Sequence, residues 1–370
     1  MSEVSIERAR TIAIGTFLEF ANEQAPLASE WTLFNLPEGS RAADLFGGES
    51  IQIDDINGIP LFYDFFSDIQ GDKQIAVRTY ANTAFGTPVD SIWQELRGSS
   101  YFSRFTGLHK RLRSIFGEKV HPNIVCYCYP KLGVMVYGDE GTPAMIYDLY
   151  DEMKHIVPSS EAGFLGTDDE LSVYSFYQRL PEGANFLQDQ ENEYAKKEES
   201  YAALVDAATR DDFSFLSEAE AGIEEKILDV PLYGQETSVY CAVATAQMIL
   251  KYHGFTMTQN DIATAMNTSP TGSTNPNQVE AYKTCSNQKL DAIYDPSADF
   301  SEARSQIDQN LPLKSGIPGH ARAVIGCREN TTDKWLHVND PYPLNQGKKR
   351  IESSANPVWT NWIYVKRPSL

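Results

Sequence analysis

Residues 241–252, Cys-Ala-Val-Ala-Thr-Ala-Gln-Met-Ile-Leu-Lys-Tyr, constrain this chain more than any other segment. They are mostly good helix formers, apolar on nearly every side, and they run into His253 and Gly254, a natural C-terminal stop. A helix that is apolar all round has to lie inside a domain, with other structure packed around it. This one also opens on a cysteine. The first turn of a helix presents unsatisfied N–H groups and the positive end of the macrodipole, which favours thiolate over thiol. Gln235 precedes it in the Gly-containing loop Val230-Pro231-Leu232-Tyr233-Gly234-Gln235. From there its side-chain amide is expected to donate to an oxyanion beside the backbone N–H of Cys241.

The segment Val230-Pro231-Leu232, Gln235, Cys241-Ala242-Val243-Ala244, Met248-Ile249-Leu250-Lys251-Tyr252-His253-Gly254 resembles the papain-like cysteine peptidases. It is closest in pattern to the branch with peptidases that cut double-glycine leaders from bacteriocin precursors, and the spacing from Gln235 to Cys241 is that of the family. Two further segments follow in the family's order. Gly319-His320-Ala321-Arg322-Ala323-Val324-Ile325-Gly326 looks like its histidine strand, with Arg322 in place of an apolar residue. Leu336-His337-Val338-Asn339-Asp340-Pro341-Tyr342-Pro343 looks like its Asp-Pro segment. The resemblance covers residues 227–370. It implies a helical subdomain carrying Cys241 packed on an antiparallel sheet carrying His320 and Asp340. It also implies the roles: Cys241 as nucleophile, His320 as its base, Asp340 as the residue that orients the ring, and Gln235 as oxyanion donor. Asn339 is the rival for the third role. Neighbouring strand residues face opposite sides, so one of the two holds the imidazole, and the Asp-Pro pairing favours Asp340.

The other candidates have plainer readings. Cys126 and Cys128 share one face of a strand and read as core, as do Cys285 and Cys327. His337 reads as structural or exposed, and His253 as a helix-end residue that complements the dipole. The pairs Asp54-Asp55 and Asp168-Asp169 read as turn residues. Five cysteines in 370 residues make no disulfide framework, and no Cys-x-x-Cys or close Cys/His grouping marks a metal site. No cofactor is expected.

A net charge of −20, with Lys348-Lys349-Arg350 as the one tight basic run, argues against nucleic acid as a partner. No stretch approaches the ~18 apolar residues of a membrane span, and Met1–Glu7 lacks the basic and apolar regions of a signal peptide. The expectation is a cytoplasmic protein, or a secreted one if a leader has been trimmed, acting on a peptide or protein.

Three regions are expected, each with its own texture. Residues 1–180 read as an N-terminal α+β domain: a helix over 5–23, then strands over 59–66, 74–80, 123–129, 133–137, 143–150 and 170–178, with a turn at Gly71-Asp72. Its stretch Asp55–Phe65 resembles the Asn-Gly-x-Pro-Leu-Tyr-Tyr strand of prodomains ahead of some bacterial and archaeal cysteine peptidases. That likeness implies a regulatory unit of cystatin-like layout, a helix on an antiparallel sheet, in contact with the peptidase cleft. Residues 181–226 read as an acidic helical connector, with Tyr194, Tyr201, Leu204 and Val205 on one stripe. Residues 227–370 form the papain-like domain, with helices over 241–252, 258–267 and 276–285 and strands over 320–327, 334–339 and 361–366. The function expected is hydrolysis of a peptide or isopeptide bond. Two rivals remain: acyl transfer through the same thioester, as in transglutaminase-like enzymes, and a non-catalytic peptide-binding module.

Overall fold

The computed structural model describes residues 2–21, 46–48, 50–67, 73–96, 101–157, 173–180, 184–209, 223–330, 333–355 and 360–368. Helix α1 (Ile6–Ala21) is followed by strands β1 (Ile51–Asp55), β2 (Pro60–Phe66), β3 (Lys73–Tyr80) and β4 (Val89–Leu96). Helix α2 (Tyr101–Phe116) leads to β5 (Ile124–Cys128), β6 (Lys131–Tyr137), β7 (Pro143–Asp148) and β8 (Lys154–Ile156). The acidic stretch forms α3 (Ala184–Thr209), then β9 (Glu224–Ile227). Then come α4 (Cys241–Tyr252), α5 (Gln259–Ala265), α6 (Asn275–Cys285), β10 (Asp291–Asp295) and α7 (Phe300–Asp308). The chain ends with β11 (Leu313–Ile317), β12 (His320–Glu329), β13 (Lys334–Asp340), β14 (Lys348–Ser353) and β15 (Asn361–Lys366).

The described strands join into one sheet in the order β10-β15-β11-β12-β13-β14-β4-β3-β2-β1-β5-β6-β7-β8, with β9 added beside β12. β1 and β5 run parallel, and their other neighbours are antiparallel. The junction between the N-terminal and C-terminal strands is the antiparallel pair β14–β4, where Arg350, Ile351 and Glu352 face Trp93, Ile92 and Ser91.

Alternation along the strands explains the layers. On β3, Ile75 and Val77 pack in the core that holds α1, whereas Ala76 belongs to the core that holds α2. The α1 core also takes Tyr194 and Tyr201 from α3, Trp335 from β13 and Ile351 from β14. Its apolar contacts therefore cross the junction. Phe20 meets Trp335 edge-on at 5.3 Å, and the Arg328 guanidinium lies 4.6 Å from the Phe20 ring centre. A third core surrounds α4, whose Val243, Ala244, Ala246, Met248, Ile249 and Leu250 are fully buried. Thr258 caps α5 in a capping box with Asp261.

Several elements differ from the sequence reading. The N-terminal region is more than one helix on an antiparallel sheet, because α2 covers a second face and β5 joins β1 in parallel. The strand expected over 170–178 is, in its described part, coil and a 3-10 turn at Phe176–Arg179. Ser175 Oγ and the Phe176 N–H donate to the Asp55 carboxylate, so a side chain takes the place of a strand ladder. The turn at Gly71-Asp72 lies outside the described residues. α3 carries its tyrosine stripe inward against α1, where a Cβ on Gly15 would sit 2.6 Å from that of Tyr201.

Candidate active site

Cys241 is the first residue of α4, and the cap residue before it, Tyr240, makes no side-chain hydrogen bond to the helix. The cap supplies no side-chain acceptor to the first-turn amides, and Cys241 is 6% exposed. Burial pushes the thiol up. The His320 ring, the Lys131 ammonium and the backbone at Ala321 override it and bring the thiol down to about 7.

His320 follows the two-residue turn Pro318-Gly319 that joins β11 to β12, with Ile317 opposite His320. Gly319 has φ +68°, the conformation that a Pro-Gly type II turn demands at its third position. The Pro-Gly pair therefore fixes the hairpin register, and with it the height of the ring on the sheet. The His320 Nε2 lies 2.7 Å from Asp340 Oδ1, and its Nδ1 has no hydrogen-bond partner. Nδ1 is thus the ring nitrogen that the carboxylate does not engage. Burial opposes charge on the His320 ring, but Asp340 and then Cys241 outweigh it, and the ring's pKa is raised. Asp340 experiences the converse. Burial pushes its carboxyl up, while His320, Arg350 and Arg322 bring it down to about 2. The Asp340 Oδ1 also accepts from the Tyr342 N–H at 2.9 Å, and Arg350 Nη1 lies 3.6 Å from Oδ2.

Asn339 points elsewhere. Its Nδ2 donates to the Val230 carbonyl at 3.0 Å, so of the two neighbours Asp340 meets the ring. His337 is buried on the same strand, but its Nε2 pairs with Glu225 Oε1 of β9 at 2.7 Å, away from the cysteine.

Gln235 is fully buried in a loop clamped to the segment after Asp340. Its N–H donates to the Pro341 carbonyl, and its carbonyl accepts from the Asn345 N–H, both at 2.9 Å. Gly234 permits that approach, because a Cβ there would lie 2.2 Å from the Gln346 nitrogen. The Gln235 Nε2 donates to the Thr237 carbonyl at 2.8 Å. That bond fixes which end of the amide is nitrogen and leaves a second N–H.

Residues 227–370 match the family model described as "Peptidase_C39 like family". With that match, the buried Cys241, His320 and Asp340 are consistent with an active site of the Cys-His-Asp type. Residues 227–370 are a cysteine-peptidase-like catalytic domain. Three solved structures are similar to part of the chain. The peptidase domain of Streptococcus ComA, a bifunctional ABC transporter of a quorum-sensing pathway, is 18% identical, with 39% of this chain and 98% of that one covered and a TM-score of 0.31. A double-glycine-motif protease from an AMS/PCAT transporter, solved with its leader peptide, is 17% identical, with 39% and 95% covered and a TM-score of 0.32. UfSP from C. elegans is 16% identical, with 40% and 35% covered and a TM-score of 0.32. No curated protein sequence matches the chain.

Residues of the N-terminal half make hydrogen bonds with segments flanking His320 and Asp340. The β5–β6 hairpin and its neighbours touch the turn before His320. Cys128 Sγ and Tyr174 Oη each lie 3.5 Å from the Pro318 carbonyl, and Tyr342 Oη donates to Asp148 at 3.0 Å. Behind Asp340 runs a buried polar chain. Arg322 clasps both oxygens of Glu352 at 2.6 Å, and Arg350 donates to Ser91 Oγ at 3.0 Å. Asp90 accepts from Tyr80 and Tyr129, each at 3.0 Å. The sequence marked Arg322 as a departure from the family's apolar strand, and this network is where it leads. Arg350 was marked only as part of a basic run, and Glu352, Ser91, Asp90, Tyr80 and Tyr129 carried no local signal. Lys131 was also missed, although it is the one charge in the otherwise uncharged run Ile124–Gly133.

Among the described residues, no group of three or more His, Cys, Asp or Glu side chains is placed to hold a metal ion. No described helix is long and apolar enough to cross a membrane. Cys126, Cys128, Cys285 and Cys327 are buried. Burial pushes the thiols of Cys126, Cys285 and Cys327 up.

Proposed function

We propose that the protein hydrolyses a peptide or isopeptide bond with Cys241 as nucleophile and His320, Asp340 and Gln235 as its supporting set. Cys241 adds to the carbonyl as thiolate. His320 Nδ1 takes the thiol proton and returns it to the leaving amine. It then takes a proton from the water that attacks the thioester, which frees the acid and the Cys241 sulfur. Asp340 holds Nε2 throughout and so fixes the tautomer and tilt of the ring. The second N–H of Gln235 and the backbone N–H of Cys241 receive the oxyanion. The observation that carries this reading is the division of labour on one ring: Nε2 is engaged by a carboxylate at 2.7 Å, and Nδ1 is left without a partner beside a thiol held near 7. The finer kinship, to the branch that processes double-glycine leaders, rests on the sequence motifs quoted above.

The proposal extends to the N-terminal region, residues 1–180, as the part that governs access to the cleft. Support comes from the near-complete burial of Cys241 and His320 and from the contacts of Cys128, Tyr174 and Asp148 with Pro318 and Tyr342.

The test uses the full chain. Intact-mass and peptide-library time courses compare wild type with Cys241→Ala. Cleavage of library peptides, or of the chain itself, by wild type and its loss in Cys241→Ala supports the reading. Cleavage that survives Cys241→Ala overturns it.

A further inference from the structure

A peptide carbonyl has to come within hydrogen-bond reach of Gln235 and bonding reach of Cys241, yet Gln235 is 0% and Cys241 6% exposed. A covering element therefore has to move, and a small cavity beside Gln235 shows which. Gln235, Ser238 and Tyr342 bound it from the peptidase-like domain, and Asp148, Asp151 and His155 face them from the β7–β8 segment. The cavity's other N-terminal residues, Tyr127 and Lys131, lie on β5 and β6, which have a strand on either side. β8 is held far less. It has three residues, stands at the end of the sheet and pairs with β7 alone among the described strands, and Met153 and Ile156 are 42% and 64% exposed. This is the part that can lift with the fewest contacts broken.

Three contacts fasten it to the peptidase-like domain. Tyr342 Oη donates to Asp148 Oδ2 at 3.0 Å, the Tyr150 ring meets the Tyr342 ring edge-on at 4.9 Å, and Ser238 Oγ donates to Met153 Sδ at 3.8 Å. On the side of α2, the same turn is held by an exposed Arg111–Glu152 ion pair, a weak kind of tie, and by the Arg104 guanidinium 5.0 Å from the Tyr150 ring centre. Tyr342 is the central contact. Its backbone N–H, and not its phenol, donates to Asp340 Oδ1, so release of the phenol leaves the bond to that carboxylate in place.

We propose that residues 149–153, the connection between β7 and β8, are a lid beside Gln235, latched shut by Tyr342 on Asp148, which lifts to admit the substrate chain. The inference rests on the reading of Cys241 as nucleophile and names the element that regulates access to it. One phenol hydrogen bond, one ring contact and one bond to sulfur make a latch light enough to open while the sheet stays folded. The lid lifts with the Cys-His-Asp set intact.

The experiment measures, in the full chain at one neutral pH, the rate at which iodoacetamide labels each cysteine, resolved by peptide mapping, beside hydrolysis of a peptide library. Wild type, Tyr342→Phe and Met153→Ala are compared, and Met153→Ala, at an exposed side chain, supplies the readout should Tyr342→Phe fold poorly. Labelling of a thiol under a cover in rapid equilibrium scales with the open population. Tyr342→Phe should speed Cys241 labelling by about five-fold, the worth of one net hydrogen bond, and Met153→Ala by about two-fold. Cys126 and Cys327, buried in other cores, should keep their wild-type rates, and kcat/KM should rise in step with Cys241 labelling. Unchanged Cys241 labelling in the folded variants overturns the lid, and Cys241-dependent cleavage by wild type would then leave the hydrolytic reading standing. Faster labelling of all the thiols together means general loosening and also overturns the lid. Faster labelling of Cys241 alone, with no peptide cleaved by any of the three proteins, supports the lid and overturns the hydrolytic reading instead.

Discussion

The two sides of the β14–β4 junction use buried charge differently. On the C-terminal side, Cys241, His320 and Asp340 form a chain in which one ring nitrogen is committed to a carboxylate and the other stays uncommitted. On the junction itself, Arg322, Glu352, Arg350 and Asp90 form a chain whose carboxylates are held on several sides by guanidinium or phenol groups. The first leaves a group to react. The second fixes two stretches of chain to each other. Burial is common to both, so burial of polar groups does not by itself distinguish a reacting site from a structural one. The thiol that interacts with the His320 ring does.

The sharpest way to break this contrast is Asp340→Asn. Removing the carboxylate leaves the fold around α4 in place and should lower peptide hydrolysis by roughly a thousand-fold, read as kcat/KM. The same substitution should alter stability against pH. The Asp340 carboxyl sits at about 2, below its ordinary 3.8, so it stabilises the folded state above pH ~4, and that contribution is lost as pH falls towards 2. The His320 pKa is raised, so its contribution is complete below the ordinary 6.5 and is lost as pH rises through the folded-state value. In Asp340→Asn both slopes should flatten, measured as denaturant midpoints across pH 2–8. Unchanged slopes would mean that the pair is not linked to folding.

Glu352→Ala addresses the structural chain. It leaves the Arg322 guanidinium buried without its carboxylate and should cost about 3–5 kcal/mol in denaturant unfolding. The loss should spread across the junction, because Ser91 pairs with Glu352 in the sheet and Ile351 shares a core with α1. Unfolding should thus stay a single transition, with N-terminal and C-terminal probes melting together. Two separated transitions would show that the shared sheet does not couple the two regions.

Legibility in the sequence follows the same division. The Gln235 loop, the helix opening on Cys241 and the strand opening on Gly319-His320 are local patterns, each encoded within a few residues, and so they could be read. The strands β11 and β14 and the helix α7 were missed, and so was the pairing of β14 with β4. Its register depends on contacts across more than half the chain, such as Arg350 with Ser91. Arg322 signalled that something polar must lie beside it, but an arginine cannot name its partner. Lys131 is the same case.

His337 gives the smallest effect and the closest control. Like His320, it is a buried histidine of the same sheet with a carboxylate 2.7 Å from Nε2. Composition, burial and pairing do not separate them. What separates them is the Cys241 thiol, which interacts with the His320 ring. Glu225, the partner of His337, lies on β9, so this bond ties the edge of the C-terminal sheet. His337→Gln should therefore cost about 1–3 kcal/mol of stability and leave kcat/KM within about two-fold of wild type. His320→Gln should do the reverse, abolishing hydrolysis with a smaller change in unfolding. If His337→Gln instead lowered the rate as far as Asp340→Asn, the neighbouring thiol would lose its standing as the mark of the reacting histidine, and β9 would have to be counted among the elements that hold the site.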